Sequence, residues 1–130
     1  RSGEALDMLQ AMNTGHDGSI STGHANSAQD MLSRLETMVL MGMELPLTAI
    51  KKQIASGLDV LIHLGRLRDK TRKVLQIVEI CDFCDGEIQT RTLYEFEEKG
   101  EDDEGRVIGE LVKKKELMHR EKLRAAGIAI

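Results

Sequence analysis

The main apolar pattern of this chain shifts from helical to alternating at Gly57, and that shift limits the folds open to it. Before Gly57 the apolar residues recur at helical spacing. Glu4 to Asn13 carries Ala5, Leu6, Met8, Leu9 and Met12 on such a stripe. A second stretch carries Met31, Leu32, Leu35, Met38 and Val39; it opens after Asn26 or Ser27 and closes near Gly42. Asn and Ser both suit a helix start, because their side-chain oxygens accept an otherwise orphaned amide proton. Pro46, the only proline, stands where a third helix opens, with Leu47, Ile50 and Ile54 as its stripe and Gly57 as its end.

From Leu58 onward the pattern alternates instead. Leu58, Val60, Ile62 and Leu64 point one way along a strand, and Asp69 to Arg72 forms a turn. Val74 to Ile80 reads as the returning strand, Ile88 to Phe96 as a third and Arg106 to Val112 as a last one. Glu116 to Ala126 is expected to be a terminal helix stopped by Gly127. Lys99 to Gly105 is an acidic, glycine-bracketed loop that reads as a solvated turn, since it lacks the carboxylate spacing and closing Glu of an EF-hand. The expected order is helices first and an antiparallel meander after, which divides the chain into a part over 1–57 and a part over 58–130.

One segment interrupts the helical half. A glycine-framed turn, Thr14 to Gly18, enters a short β-compatible stretch, Ser19 to Gly23, in which Ile20 and Thr22 alternate with serines. As a strand it places Thr22 and His24 on one face, with Gly23 leaving room beside them. Ligands of open α/β sheets bind at the carboxyl ends of strands. A histidine there can donate to a phosphate oxygen, or change its donor pattern when the phosphate leaves. A histidine satisfied within the fold is the alternative reading.

Composition excludes several classes. The 130 residues are 41% hydrophobic and 31% charged, enough for a core and against disorder, and they make one domain or part of one. A net charge of −4 supplies no general basic surface, and 2% aromatic residues with no Trp supply no stacking platform, so no nucleic-acid partner is expected. No apolar run approaches the roughly 20 residues of a membrane-spanning helix. Two cysteines fit a reducing cytoplasm. The first residue is Arg1 and not Met, which fits a piece of a longer protein.

Three smaller features have plain readings beside sharper ones. Cys81 and Cys84 form a lone Cys-x-x-Cys with no second pair, so no metal site is expected within one chain; two chains sharing a zinc is the exception. Lys113, Lys114, Lys115, Arg120, Lys122 and Arg124 make a basic patch that reads as a solvated face, with attraction to a membrane surface as the second reading. Arg66, Arg68 and Arg72 gather at the expected hairpin tip, as a solvated turn or a subunit contact. His63 and His119 have no partner motif.

The run Gly15-His16-x-Gly18-Ser19-x-x-Thr22-x-His24-Ala25-Asn26-Ser27 resembles the His box of the type II/type IV secretion ATPases. It follows Arg1-x-Gly3-Glu4-Ala5-x-Asp7-x-x-x-Ala11-x-Asn13-Thr14. The similarity continues through Arg34-Leu35-Glu36-Thr37-Met38, Pro46-Leu47-x-Ala49-Ile50, Gln53-Ile54-Ala55-Ser56, Phe96 and Leu123-Arg124-Ala125-Ala126-Gly127-Ile128. Within that family it is most similar to the CpaF-type branch of tight-adherence pilus assembly.

The resemblance implies an α/β fold: the C-terminal half of a RecA-like P-loop NTPase domain, with helices around a core strand, then an antiparallel extension and a terminal helix. It implies a hexameric motor that hydrolyses ATP with Mg²⁺ to drive pilus assembly or secretion, cytoplasmic and peripheral at the inner face of the membrane, working with an inner-membrane platform protein. His24 matches the principal His-box histidine near the γ-phosphate, with Thr22 beside it, and His16 matches the earlier histidine in the turn. Arg1 matches the Arg of a Gly-Glu-x-Arg motif, and Glu4 a second acidic position with a catalytic or Mg²⁺-supporting role, or else a favourable charge in a helix's first turn. No Gly-x-x-x-x-Gly-Lys-Ser/Thr occurs in the 130 residues. A piece without that phosphate cradle is expected to bind no cofactor and to hydrolyse no ATP alone. A non-catalytic oligomerisation and platform-docking module is the alternative function.

Overall fold

The computed structural model describes residues 7–9, 18, 20–42 and 44–130. Two helices, α1 (Ala28–Gly42) and α2 (Leu47–Gly57), precede four strands: β1 (Val60–Arg66), β2 (Arg72–Cys84), β3 (Glu87–Glu101) and β4 (Val107–Lys113). A single turn of helix, α3 (Glu121–Ala125), closes the chain. The strands form one antiparallel meander in the order β1-β2-β3-β4, as the short connections require. The architecture is mixed α/β.

The helix starts follow from local chemistry. Ser27 Oγ accepts the Asp30 amide at 3.0 Å, satisfying an orphan donor of α1, while Asp30 Oδ2 accepts the amide of Asn26 just before the helix at 2.9 Å. Pro46 sits at the α2 N-cap without a side-chain bond, and Gly57 is the last helical residue. The stripes of both helices meet over the sheet. Leu32, Leu35 and Val39 of α1, Ile50 and Ile54 of α2, and Leu58, Ile80 and Leu9 form one buried cluster. Met31, Met38, Leu61 and Ile88 pack against its edge. Leu47, assigned to the α2 stripe by its spacing, instead stands exposed in the first turn.

Polar clips fix the helix layer on the sheet. Gln29 Nε2 donates to Thr90 Oγ1 at 3.0 Å, and Lys51 Nζ reaches Glu87 at 3.0 Å. The β2–β3 turn beneath Lys51 is Asp85-Gly86, with φ of 54° and 79°. Two left-handed residues in a two-residue turn match the twist of the flanking strands.

Two expectations are corrected. The strand over Ser19 to Gly23 is not formed, and with it the core strand of the expected architecture: residues 20–25 have no regular structure, and Ser19 lies outside the described residues. A strand needs a neighbour for its amides and carbonyls. No described strand pairs with this stretch, and Ile20 is 93% exposed. The terminal helix spans Glu121–Ala125 and not Glu116 to Ala126. The amides of Met118 and His119 donate to Glu79 at 2.7 and 2.9 Å, a geometry that competes with continuing helix. Its end is as expected: Gly127 takes φ 83°, and Ile128 N bonds Leu123 O at 2.9 Å.

The alternation expected along β1 is present, and its apolar face is the open one. Val60, Ile62 and Leu64 form its open face, with Ile62 57% and Leu64 63% exposed, while Leu61, His63 and Gly65 are turned inward. Val60 pairs with Glu79, so this face is the one Glu79 occupies, on the side away from the core helices. β1 is also an edge strand.

Candidate functional site: the His24 cleft

Residues 20–25 lead into α1 without regular structure. Gly23 lies against Met31 of α1; a Cβ there would stand 2.6 Å from the Met31 methyl. This close approach lays the segment along the helix and brings His24 to the α1 surface. His24 is exposed and its ring forms no hydrogen bond to a described residue. It lines an open cleft of about 510 Å³ with Asp30, Met31, Ser33, Arg34, Thr37 and Met38.

The polar wall of the cleft belongs to α1. Arg34 Nε bonds Asp30 Oδ2 at 3.0 Å, the i,i+4 spacing of one helix face. The Asn26 amide, and then the Arg34 guanidinium, hold the Asp30 carboxyl below the ordinary carboxylate range. Thr37 Oγ1 donates back to Ser33 O at 3.1 Å. Met31 and Met38 of the same helix add apolar lining. The cleft therefore combines an unengaged imidazole, a guanidinium held at one nitrogen and an apolar lining, which suits an anionic group such as phosphate.

Of the residues singled out from the sequence, the structure describes two. Thr22 is exposed but does not line this cleft, so the shared face expected from strand alternation is not realised. Arg1, Glu4 and His16 lie outside the described residues. Gly18, in the turn, has φ 83°, a left-handed conformation that glycine adopts without strain. Arg34 and Asp30 join His24 in the cleft although sequence spacing alone assigned them no role. The available signal was their i,i+4 separation on the polar face of α1.

The structure also places the other candidates. Cys81 is the extra residue of a bulge between Ile80 and Asp82; burial pushes its thiol up, and nearby Glu79 adds to the effect. Cys84 is exposed at the end of β2, and both cysteines are free. Among the described residues no group of three or more His, Cys, Asp or Glu could hold a metal ion. Three members of the basic patch form ion pairs: Lys113 with Glu116 at 2.6 Å, Lys114 with Glu97, and Arg120 with Glu116 at 3.5 Å. Arg68 bridges to Glu98 and, at 2.7 Å, to Glu101, so it ties the β1–β2 tip to β3. No described helix is long and apolar enough to cross a membrane.

Comparison with known proteins agrees with the motifs. The family model for Type II/IV secretion system proteins matches residues 1–127. A Mycobacterium tuberculosis protein provisionally named for conjugal transfer is 30% identical over 113 residues, covering 87% of this chain and 31% of its own length. The conjugal transfer protein TrbB of Rhizobium radiobacter is 32% identical over 98 residues, covering 75% and 29%. The type IV secretion system protein PtlH of Bordetella pertussis is 39% identical over 69 residues, covering 51% and 20%. The chain thus spans less than a third of the length of each of these relatives. With all but its last three residues matched, the chain belongs to the Type II/IV secretion system protein family.

Proposed function

We propose that this chain is the phosphate-sensing part of a secretion or pilus-assembly motor ATPase, with His24 as the sensing residue. The observation that carries the reading is the placement of His24: exposed, without a hydrogen bond to a described residue, and on a cleft that also holds Arg34. A neutral or protonated imidazole in that position donates to a terminal phosphate oxygen and loses that partner after hydrolysis. Thr22, His16, Arg1 and Glu4 complete the proposed site: the first three near the phosphates, and Glu4 in support of Mg²⁺ or the attacking water.

The finer features belong to the same proposal. They are a RecA-like domain completed by residues outside this chain, a hexameric ring, a CpaF-type role in tight-adherence pilus assembly, and docking on an inner-membrane platform protein at the cytoplasmic face. The residues present fit a role beside the phosphates and do not supply the cradle that holds them, since the P-loop pattern is absent from the sequence. The 130-residue piece alone therefore hydrolyses no ATP.

Family membership and the relatives named for conjugal transfer and type IV secretion support this reading. A second reading, a non-catalytic docking module, is favoured by one observation, the open apolar face of β1. Calorimetric titration of the full-length protein with ATP and ADP separates them. On the sensing account, His24→Ala selectively weakens ATP binding. Equal ATP and ADP affinities in the wild type and variant alike would favour the docking module.

A further inference from the structure

We propose that Arg34 is a second contact for the terminal phosphate, with Asp30 as its positioning residue; this rests on the phosphate-sensing reading of His24. Asp30 is fixed from two sides: its amide donates to Ser27 Oγ at 3.0 Å, and its Oδ2 accepts the Asn26 amide at 2.9 Å. The same Oδ2 takes Arg34 Nε at 3.0 Å. Arg34 is thereby held at one nitrogen, while its two terminal nitrogens form no bond to a described residue. A guanidinium fixed at Nε presents a planar pair of donors, the arrangement that reads a phosphate in bidentate fashion.

Arg34 lines the same cleft as His24. Two cationic or donor groups among apolar methionines leave an anion as the complementary ligand. Asp30 is the one carboxylate among the described lining residues, and its negative charge already faces Arg34. Capping links the device to the chain that carries His24, because Asn26 and Ser27 directly follow that segment. A phosphate bound by His24 and Arg34 would therefore bear on the start of α1.

The bland reading is an exposed i,i+4 ion pair, which contributes little and has no effect on nucleotide choice. Titration of the full-length protein with ATP and with ADP decides between them, using His24→Ala, Arg34→Gln, Arg34→Lys and Asp30→Asn. Arg34→Gln is expected to weaken ATP binding about tenfold, the effect of losing a charge-assisted pair of hydrogen bonds, and to leave ADP binding little changed. Arg34→Lys should recover part of the loss, and Asp30→Asn should lie between. Arg34 is 52% exposed, so these variants should fold, and an unchanged melting temperature verifies it. An unaltered ATP-to-ADP ratio in Arg34→Gln, with the ratio lowered in His24→Ala, overturns this inference alone. If His24→Ala also leaves the ratio unaltered, the phosphate-sensing reading falls with it.

Discussion

Glu79, in the middle of β2, accepts the backbone amide of His119 at 2.9 Å, 40 residues further along the chain. Its other oxygen accepts the Met118 amide at 2.7 Å, and His119 Nε2 lies 2.9 Å from Cys81 O. The carboxylate is 2% exposed, so the C-terminal segment is pinned to the sheet by a buried charge with two fixed donors. A buried carboxylate is tolerated only with such partners.

Removing that carboxylate should release the segment. Glu79→Ala is expected to cost about 2 kcal/mol, the scale of hydrogen bonds to a charged group. Amide hydrogen exchange of Met118 and His119 should quicken well beyond that of β2. Unchanged protection at both amides would show that Leu117 and α3 hold the segment without Glu79.

Asp69 makes the fold sensitive to acid. Its Oδ1 accepts the Thr71 hydroxyl at 2.6 Å and the Thr71 amide at 2.9 Å, and its Oδ2 accepts the Val107 amide at 2.7 Å. The Thr71 hydroxyl first, then the Val107 amide, lower its pKa from 3.8 to about 2. A depressed carboxyl contributes stability that is fully present above its unfolded pKa of 3.8 and is lost as pH falls through about 2. Asp69→Asn should flatten the acid limb of the stability profile in that window and leave its neutral shape alone. Parallel profiles for wild type and variant would contradict this.

Two glycines of the sheet should respond differently to alanine. A Cβ at Gly109 would stand 2.5 Å from the Glu97 carbonyl oxygen and 2.6 Å from Phe96 Cζ, and a backbone atom cannot step aside. Gly65 faces the tip of the Leu75 side chain, which can change rotamer. Gly109→Ala should therefore cost about 1–3 kcal/mol, and Gly65→Ala less. Urea melts of both variants check the order.

The β1 edge should make the isolated chain self-associate. Ile62 and Leu64 are more than half exposed on an edge strand, the combination that invites pairing with another chain. Light scattering of the 130-residue chain should show association that Ile62→Lys suppresses. A monodisperse monomer of the unsubstituted chain would contradict it.

The break at Gly57 was legible because period and punctuation agreed: the capped and proline-led starts of α1 and α2 and the alternation beyond Leu58 all recur in the structure. What was not legible depended on partners distant in sequence. Whether Val60, Ile62 and Leu64 face inward or outward is set by the packing of Leu61 under the helices, and alternation alone carries no sign. Glu116 to Glu121 has helical spacing, yet a carboxylate some 40 residues earlier takes its amides. Glu79 could have been noticed as a lone charge within the apolar run Val74 to Ile80. At the cleft, the proposal for His24 starts from its motif, whereas the proposal for Arg34 starts from the bonds that Asp30 makes to it and to Asn26, which spacing alone does not show.

The central claim is that His24 serves nucleotide turnover, and steady-state ATP hydrolysis by the full-length protein tests it most directly. Removing a group that contacts the transferring phosphate typically costs about 100-fold in turnover. His24→Ala is predicted to lose hydrolysis on that scale while keeping its fold and melting temperature. Turnover equal to wild type in a folded His24→Ala protein would contradict the account.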